Sequence, residues 1–253
     1  MNNVHITEQC SLNTVQFILS FMPVKGEVTK PQQRREQARE AIRQEILSVS
    51  RQIITREGFA ALTMRKLAEH IGYSPAAIYL HFRNRDEIAH EVSRTGYADL
   101  LAALSSAVAA SAGDAASRLR AICGAYVRFG LENPQTYSLI FMEDPAYLAV
   151  VLAHPSADDP GARAYGLLVD AAEALMSAGR RLPKVGKPAR AATAVEFAET
   201  IWASLHGIVS LKLTCPVFPT SQAEVLTPIM IESLLGTLTD SSVAKNGSQR
   251  NRR

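Results

Sequence analysis

The sequence has few cysteines, few aromatics and no long apolar run, and each shortage removes a class of protein. The three cysteines, Cys10, Cys123 and Cys215, are an odd number with neither a disulfide framework nor zinc-type spacing. Cys123 falls in an apolar helical pattern and reads as a small buried hydrophobe, with a redox-sensing thiol as the sharper alternative. No stretch reaches the roughly 18 uncharged apolar residues that a membrane-spanning helix needs. The nearest, residues 15–24, has the size of a signal-peptide core, but Glu8 precedes it and no Lys or Arg does. It reads as a loose leader, or as the product of an upstream start codon with Met22 as the true start. A cytoplasmic chain is therefore expected. Nucleophile–base pairs, metal-ligand spacings and phosphate loops are also missing, so no enzymatic activity, cofactor or metal is expected. His206 stands alone, and Asp158-Asp159 precede a proline in a loop.

What remains is a globular, helix-forming composition. The 253 residues are 47% hydrophobic, enough to bury a core in one large domain or two modest ones. The net charge of +3 is unevenly spread. Residues 30–94 hold twelve Lys and Arg against eight Asp and Glu, whereas residues 95–240 hold ten against fourteen. A basic N-terminal third on an acidic body suits a protein that meets a polyanion at one end, although an ordinary uneven surface gives the same numbers.

The apolar period is that of helices throughout. From Arg34, Ala38, Ile42, Ile46, Val49 and Ile53 recur at steps of three and four, and Gly58 ends the run. Thr63 caps a short helix over 64–71, and Gly72 breaks it. Ser74-Pro75 restarts the chain as N-cap and first helical residue of a helix over 76–82. Asn84 or Asp86 caps a fourth helix reaching about Ser111. Further helices are expected over 115–131, 134–141, 145–152, 161–178, 189–213 and 221–238, separated by Pro, Gly and Asp. No strand alternation or internal repeat is present, and residues 241–253 form a polar tail.

One segment carries chemistry. A helix-turn-helix needs a small residue in its first helix, a glycine in the turn and an apolar lock in the second helix. Ala68, Gly72 and Ile78 supply these at spacings of four and six, with Leu67, Ile71 and Phe82 completing the inner face. Ala76 and Ala77 leave room for the second helix to approach a major-groove floor. Thr63 offers a hydroxyl and helix N-terminal amides to a phosphate, and Arg65, Tyr79, His81 and Arg85 flank the unit as further backbone contacts. Base reading falls to Ser74, Pro75, Ala76 and Ala77, with Arg65 in reach. The plain alternative is a three-helix packing unit in which Tyr79 is half core, His81 lies on the surface and Arg65 makes a surface ion pair.

The run from Phe59 to Ile88 resembles the DNA-binding domain of the TetR family of transcriptional regulators. The likeness rests on Gly58-Phe59, Leu62-Thr63, Leu67-Ala68, Ile71-Gly72, Ile78-Tyr79, His81-Phe82 and the Asn84-Arg85-Asp86-Glu87 turn, and it covers residues 35–94. It departs from the family at Pro75-Ala76-Ala77, where a polar or glycine-threonine start to the recognition helix is common. The resemblance implies an all-α fold: a leader over 1–33, a three-helix DNA-binding domain over 34–83, a ligand-binding and dimerisation domain over 84–240, and a tail over 241–253. It further implies a repressor of duplex DNA with a near-palindromic operator, released by a small hydrophobic or aromatic effector.

The second half resembles a subgroup marked by Trp…His-Gly, here Trp202, His206 and Gly207. Trp202 and His206 share a helix face four residues apart, which simple packing would also explain. Tyr126, Phe129, Tyr137, Phe141, Tyr165, Trp202 and His206, with Met142, Met176 and Phe197, are the candidates to line an effector cavity. A homodimer is expected through the last two helices, with Val195, Ala198, Ile201, Leu205, Ile208 and Leu211 on one and Val225, Ile229, Leu234, Leu235 and Leu238 on the other. The rival to the whole reading is a helical sensor or carrier without specific DNA binding.

Overall fold

The computed structural model describes residues 30–151, 153 and 158–240. The expected leader lies outside them up to residue 29, as do Cys10, Met22, the polar tail and Leu152, the expected end of one helix. The described chain is helical, as its periodicity requires. The helices are α1 (Lys30–Glu57), α2 (Met64–Ile71), α3 (Pro75–Tyr79), α4 (Arg85–Ala110), α5 (Ala115–Glu132), α6 (Pro134–Phe141), α7 (Pro145–Val151), α8 (Pro160–Ser177), α9 (Ala194–Thr214) and α10 (Ala223–Gly236). A 3₁₀ turn over Phe59–Ala61 joins α1 to α2.

Several boundaries differ from the sequence pattern, two of them at helix starts with a clear local cause. Helix α1 begins at Lys30 rather than Arg34, because Pro31 in its first turn sacrifices no intrahelical bond. Helix α9 begins at Ala194 rather than Ala189, where Thr193 and Glu196 form a capping box. The residues ahead of it make a minimal hairpin of β2 (Lys184–Val185) and β3 (Arg190–Ala191). A second two-residue ladder pairs β1 (Arg180–Arg181) with β4 (Thr239–Asp240), register Arg180 to Asp240. Pairs this short give no period to read.

The chain divides into two compact units between Gln44 and Glu45, within α1. The described part of the first, residues 30–44, exposes nearly every side chain, including Ala38. The second unit, from Glu45 on, holds two clusters of buried residues. Ile46, Ile53, Ile54, Leu67, Ala68, Ile78 and Phe82 fill the first, around the α2–α3 corner. The larger cluster is built mainly by α4, α5, α8 and α9. At Gly130 and Gly96 the helices approach so closely that a Cβ would meet Val209 Cγ1 at 2.6 Å and Ile140 Cγ2 at 2.8 Å.

The expected dimer face separates into two sides. Ala198, Ile201 and Leu205 point into the protein's own core, as do Leu235 and Leu238. They recur with the period that seats α9 and α10 on α5 and α8, so they are not available to a partner. Val195, Leu211, Val225 and Ile229 remain exposed on the same two helices, with Val217 and Phe218 in the connecting loop.

Candidate functional site

The α2–α3 corner follows from local chemistry. Thr63 accepts a hydrogen bond from the Lys66 amide at 3.1 Å and starts α2. Gly72 ends it in the left-handed conformation (φ 72°), which lets the chain reverse within three residues. Ser74 accepts from the Ala77 amide at 3.2 Å and Pro75 occupies the first turn of α3. Helix α3 stops at Tyr79, three residues short of the expected Phe82, and the chain turns through Leu80 and His81 before Phe82 enters the core. Leu67, Ala68, Ile78 and Phe82 lock the corner from inside, each 2% exposed or less.

The outer side carries the expected contact residues. Thr63, Arg65, Ser74, Pro75, Ala76, Tyr79 and Arg85 are exposed, and Ala77 and His81 are half-buried. Tyr79 is 54% exposed, which places its ring outside rather than half in the core. Leu80, which the sequence pattern did not single out, is more exposed still at 74%.

The cations around the corner all have acidic neighbours. Arg65 pairs with Glu69 at 2.9 Å, Lys66 with Glu57, Arg83 with Glu87 at 3.7 Å and Arg85 with Asp86 at 3.6 Å. Exposed pairs of this kind are weak and are readily exchanged for a phosphate. Arg85 is the least free of them. Its guanidinium stacks over Phe59 at 4.7 Å and donates to the Leu62 carbonyl at 3.5 Å, so it also fastens the 3₁₀ turn to α4.

The larger cluster encloses a cavity of about 520 Å³ between α4, α5, α6, α7, α8 and α9, within the usual range for small-molecule sites. Of the expected residues, Tyr126, Phe141, Tyr165 and Trp202 line it. Tyr137 and His206 stand behind this wall. The Tyr137 hydroxyl lies 3.0 Å from that of Tyr126 and 2.7 Å from His206 Nδ1, while Trp202 stacks on the imidazole at 5.5 Å. Burial raises the pKa of both tyrosines and lowers that of His206, so all three groups favour their neutral forms. Phe129, one turn along α5 from Tyr126, is core and not cavity wall. Met142, Met176 and Phe197 also lie away from the cavity.

The wall missed by the aromatic pattern comes from α4: His90, Ser93, Arg94, Tyr97, Leu100 and Leu104. Their spacing of three and four makes one stripe, in which polar residues interrupt an apolar face. That interruption was the available signal. The Tyr97 hydroxyl donates to the Ile140 carbonyl at 3.0 Å, and burial pushes its pKa up to about 12. Cys123 is buried and its thiol is pushed up to about 12, so it is no thiolate at neutral pH. Among the described residues no three His, Cys, Asp or Glu gather to hold a metal ion, and no helix is long and apolar enough to cross a membrane.

Known proteins share both halves of this arrangement. Residues 46–92 match the model of bacterial regulatory proteins of the tetR family, and residues 119–234 match the tetracyclin repressor-like C-terminal domain. An uncharacterized helix-turn-helix-type transcriptional regulator of Haemophilus influenzae is 31% identical over 68 residues, which span 27% of this chain and 36% of that protein. The chain thus matches about a third of the length of that curated relative. A solved protein described as regulatory is 27% identical, with a TM-score of 0.58 over 79% of this chain and 98% of its own. A tetR-family regulatory protein of Rhodococcus RHA1 shares the fold at 19% identity, with a TM-score of 0.57 over 78% and 97% of the two chains. These relatives are regulators rather than enzymes. With one family model over its helix-turn-helix and another over its helical body, the chain belongs to the TetR family of transcriptional regulators.

Proposed function

We propose that the protein is a cytoplasmic, homodimeric repressor that binds a near-palindromic duplex operator and is released by a small apolar effector. The observation that carries this reading is the α2–Gly72–α3 corner. It is locked from within by Ile78 and Phe82, and it turns Ser74, Pro75, Ala76 and Tyr79 outward. In this reading Ser74, Pro75, Ala76 and Ala77 meet base edges, with methyl contacts to thymine favoured by such small side chains. Thr63, Arg65, Tyr79, His81 and Arg85 hold the phosphates on either side.

The domain limits follow the same division of labour, with residues 34–83 reading DNA and 84–240 binding effector and partner. The exposed apolar residues of α9 and α10, Val195, Leu211, Val225 and Ile229, support a two-helix face that a second copy would complete as a four-helix interface. The Trp…His-Gly residues gain a place in this scheme, since Trp202 walls the cavity and His206 backs it. Effector affinity and operator affinity are then coupled by the same factor in both directions.

Selection from random duplexes, followed by binding titrations at several salt concentrations, tests the reading. A preferred palindrome and a steep fall of affinity with salt are expected. Weak, sequence-blind association would instead favour a helical sensor or carrier, and a monomer at micromolar concentration in sedimentation would remove the two-headed geometry.

A further inference from the structure

The cavity wall is apolar apart from a few groups, and most of those are already engaged. Tyr97 and Tyr126 bond to Ile140 and Tyr137, Arg94 is held by Glu91 through two contacts of 3.3 Å, and Asp159 caps α8 through the amides of Gly161 and Ala162. Ser93 differs. It lines the cavity and is fully buried, and its hydroxyl makes no hydrogen bond. The Tyr147 hydroxyl is also sealed from solvent with no partner at full hydrogen-bond geometry; burial raises its pKa, and the Ser93 hydroxyl, the polar group that offsets part of that rise, gives it only a poor contact. His90, one turn before Ser93 on α4, lines the same end. A buried hydroxyl without a partner is costly, and a ligand that supplies the partner recovers that cost.

Resting on the effector reading of the cavity, we propose that the effector is a largely apolar, uncharged molecule bearing a hydroxyl or carbonyl group that Ser93 Oγ receives. Charge on the ligand is disfavoured by the wall itself. A carboxylate would find Arg94 already paired with Glu91 and would face Asp159 and Glu199 on the same surface. An ammonium would find Asp159 committed to backbone amides and Glu199 exposed to water, and it would lose its hydration against aliphatic side chains. A hydroxyl or ketone suits serine, which both donates and accepts. The site also adjoins the head of the molecule. Tyr147 packs edge-on against Phe59 at 5.4 Å, and Phe59 carries the Arg85 guanidinium on its ring. A ligand atom at Ser93 therefore sits one side chain away from the turn that fastens the DNA-reading corner.

The chain's single tryptophan, Trp202, lies on the cavity wall and reports occupancy by its emission. Titration of the full-length protein with 1-decanol, 2-decanone, decanoate, decylammonium and 1-chlorodecane compares head groups at one chain length. The alcohol and ketone are expected to bind more tightly than the anion and the cation. In Ser93→Ala they should lose about 2- to 12-fold in affinity, as for one neutral hydrogen bond, with 1-chlorodecane unchanged or tighter. The thermal midpoint of unliganded Ser93→Ala should stay level or rise, because an unpaired buried hydroxyl has been removed. A fall in that midpoint would show that the hydroxyl serves the fold through Tyr147, and it would overturn the inference. Tightest binding of decanoate or decylammonium would overturn it too. Binding of every probe without dependence on Ser93 would defeat this assignment alone, whereas no change in Trp202 emission with any probe would defeat the effector cavity itself.

Discussion

Gly130 and Gly124 lie six residues apart on α5 and offer a matched test of how tightly the body is packed. A Cβ added at Gly130 would stand 2.6 Å from Val209 Cγ1 on α9 and 2.9 Å from Tyr137 Cδ2 on α6, both on fully buried side chains. A Cβ added at Gly124 meets nothing within 4 Å. Each alanine gains about 1 kcal/mol of helix propensity over glycine. Only Gly130→Ala also incurs overpacking, which costs about 1–3 kcal/mol in a close-packed interior. Gly124→Ala should therefore stabilise the protein by up to about 1 kcal/mol, and Gly130→Ala should destabilise it by up to about 2 kcal/mol. The difference between the variants, about 1–3 kcal/mol, isolates the packing contribution because the propensity gain cancels. Urea denaturation at one fixed protein concentration measures it, since the proposed dimer would make stability depend on concentration. An unchanged dependence on urea would confirm that the midpoints compare like with like. Equal stability of the two alanine variants would refute the close approach of α5, α6 and α9.

Four further outcomes are expected. Ser74→Ala removes the N-cap of α3 and should cost about 1 kcal/mol of stability, read by thermal or urea melting, and it should weaken duplex binding. Arg65→Ala removes a side chain that is 86% exposed, so stability should shift by no more than about 0.5 kcal/mol. Its effect should appear in duplex titrations as weaker binding to every sequence and a salt slope smaller by about one phosphate contact. Ile229→Glu places a charge on the exposed apolar side of α10 and should shift sedimentation toward monomer while leaving the helical circular dichroism intact. Desolvation lowers the pKa of His206 below its ordinary 6.5, so the folded protein binds fewer protons there than the unfolded chain. The stability owed to neutral His206 should be complete above pH 6.5 and lost as pH falls through the folded value, and His206→Gln should flatten that limb of a stability–pH curve.

The helical architecture could be read because most helices have an apolar stripe, and several a capping residue, that act locally. Thr63, Gly72, Ser74 and Asn84 perform the roles their types suggest, and Gly72 takes a left-handed conformation that disfavours a side chain. The length of α3 was less legible. Ile78 and Phe82 sit four apart in a helical pattern, yet Phe82 reaches the core from a turn, and spacing alone cannot distinguish the two. The cavity was legible where aromatics mark it, at Tyr126, Phe141, Tyr165 and Trp202. Along α4 only the polar interruptions of an apolar stripe mark it, because a void is a property of how six helices meet rather than of any one of them. The exposed apolar residues of the last two helices were blurred for a related reason. Helices α9 and α10 are apolar on two sides, and a one-dimensional pattern does not say which side turns inward.

Helix α4 has a mechanical consequence. It is capped by Asn84 shortly after the α2–α3 corner, and its 26 residues include one wall of the cavity. At 1.5 Å per residue such a rod is about 39 Å long. Pivoting it by 5° at the far end would carry its tip through roughly 3 Å. In the proposed dimer, two copies moving in opposite senses would change the span between their tips by about twice that, against successive major grooves about 34 Å apart. In the proposed assembly, a small displacement beside the shaft would put both heads out of step with the duplex, with no rearrangement inside either head.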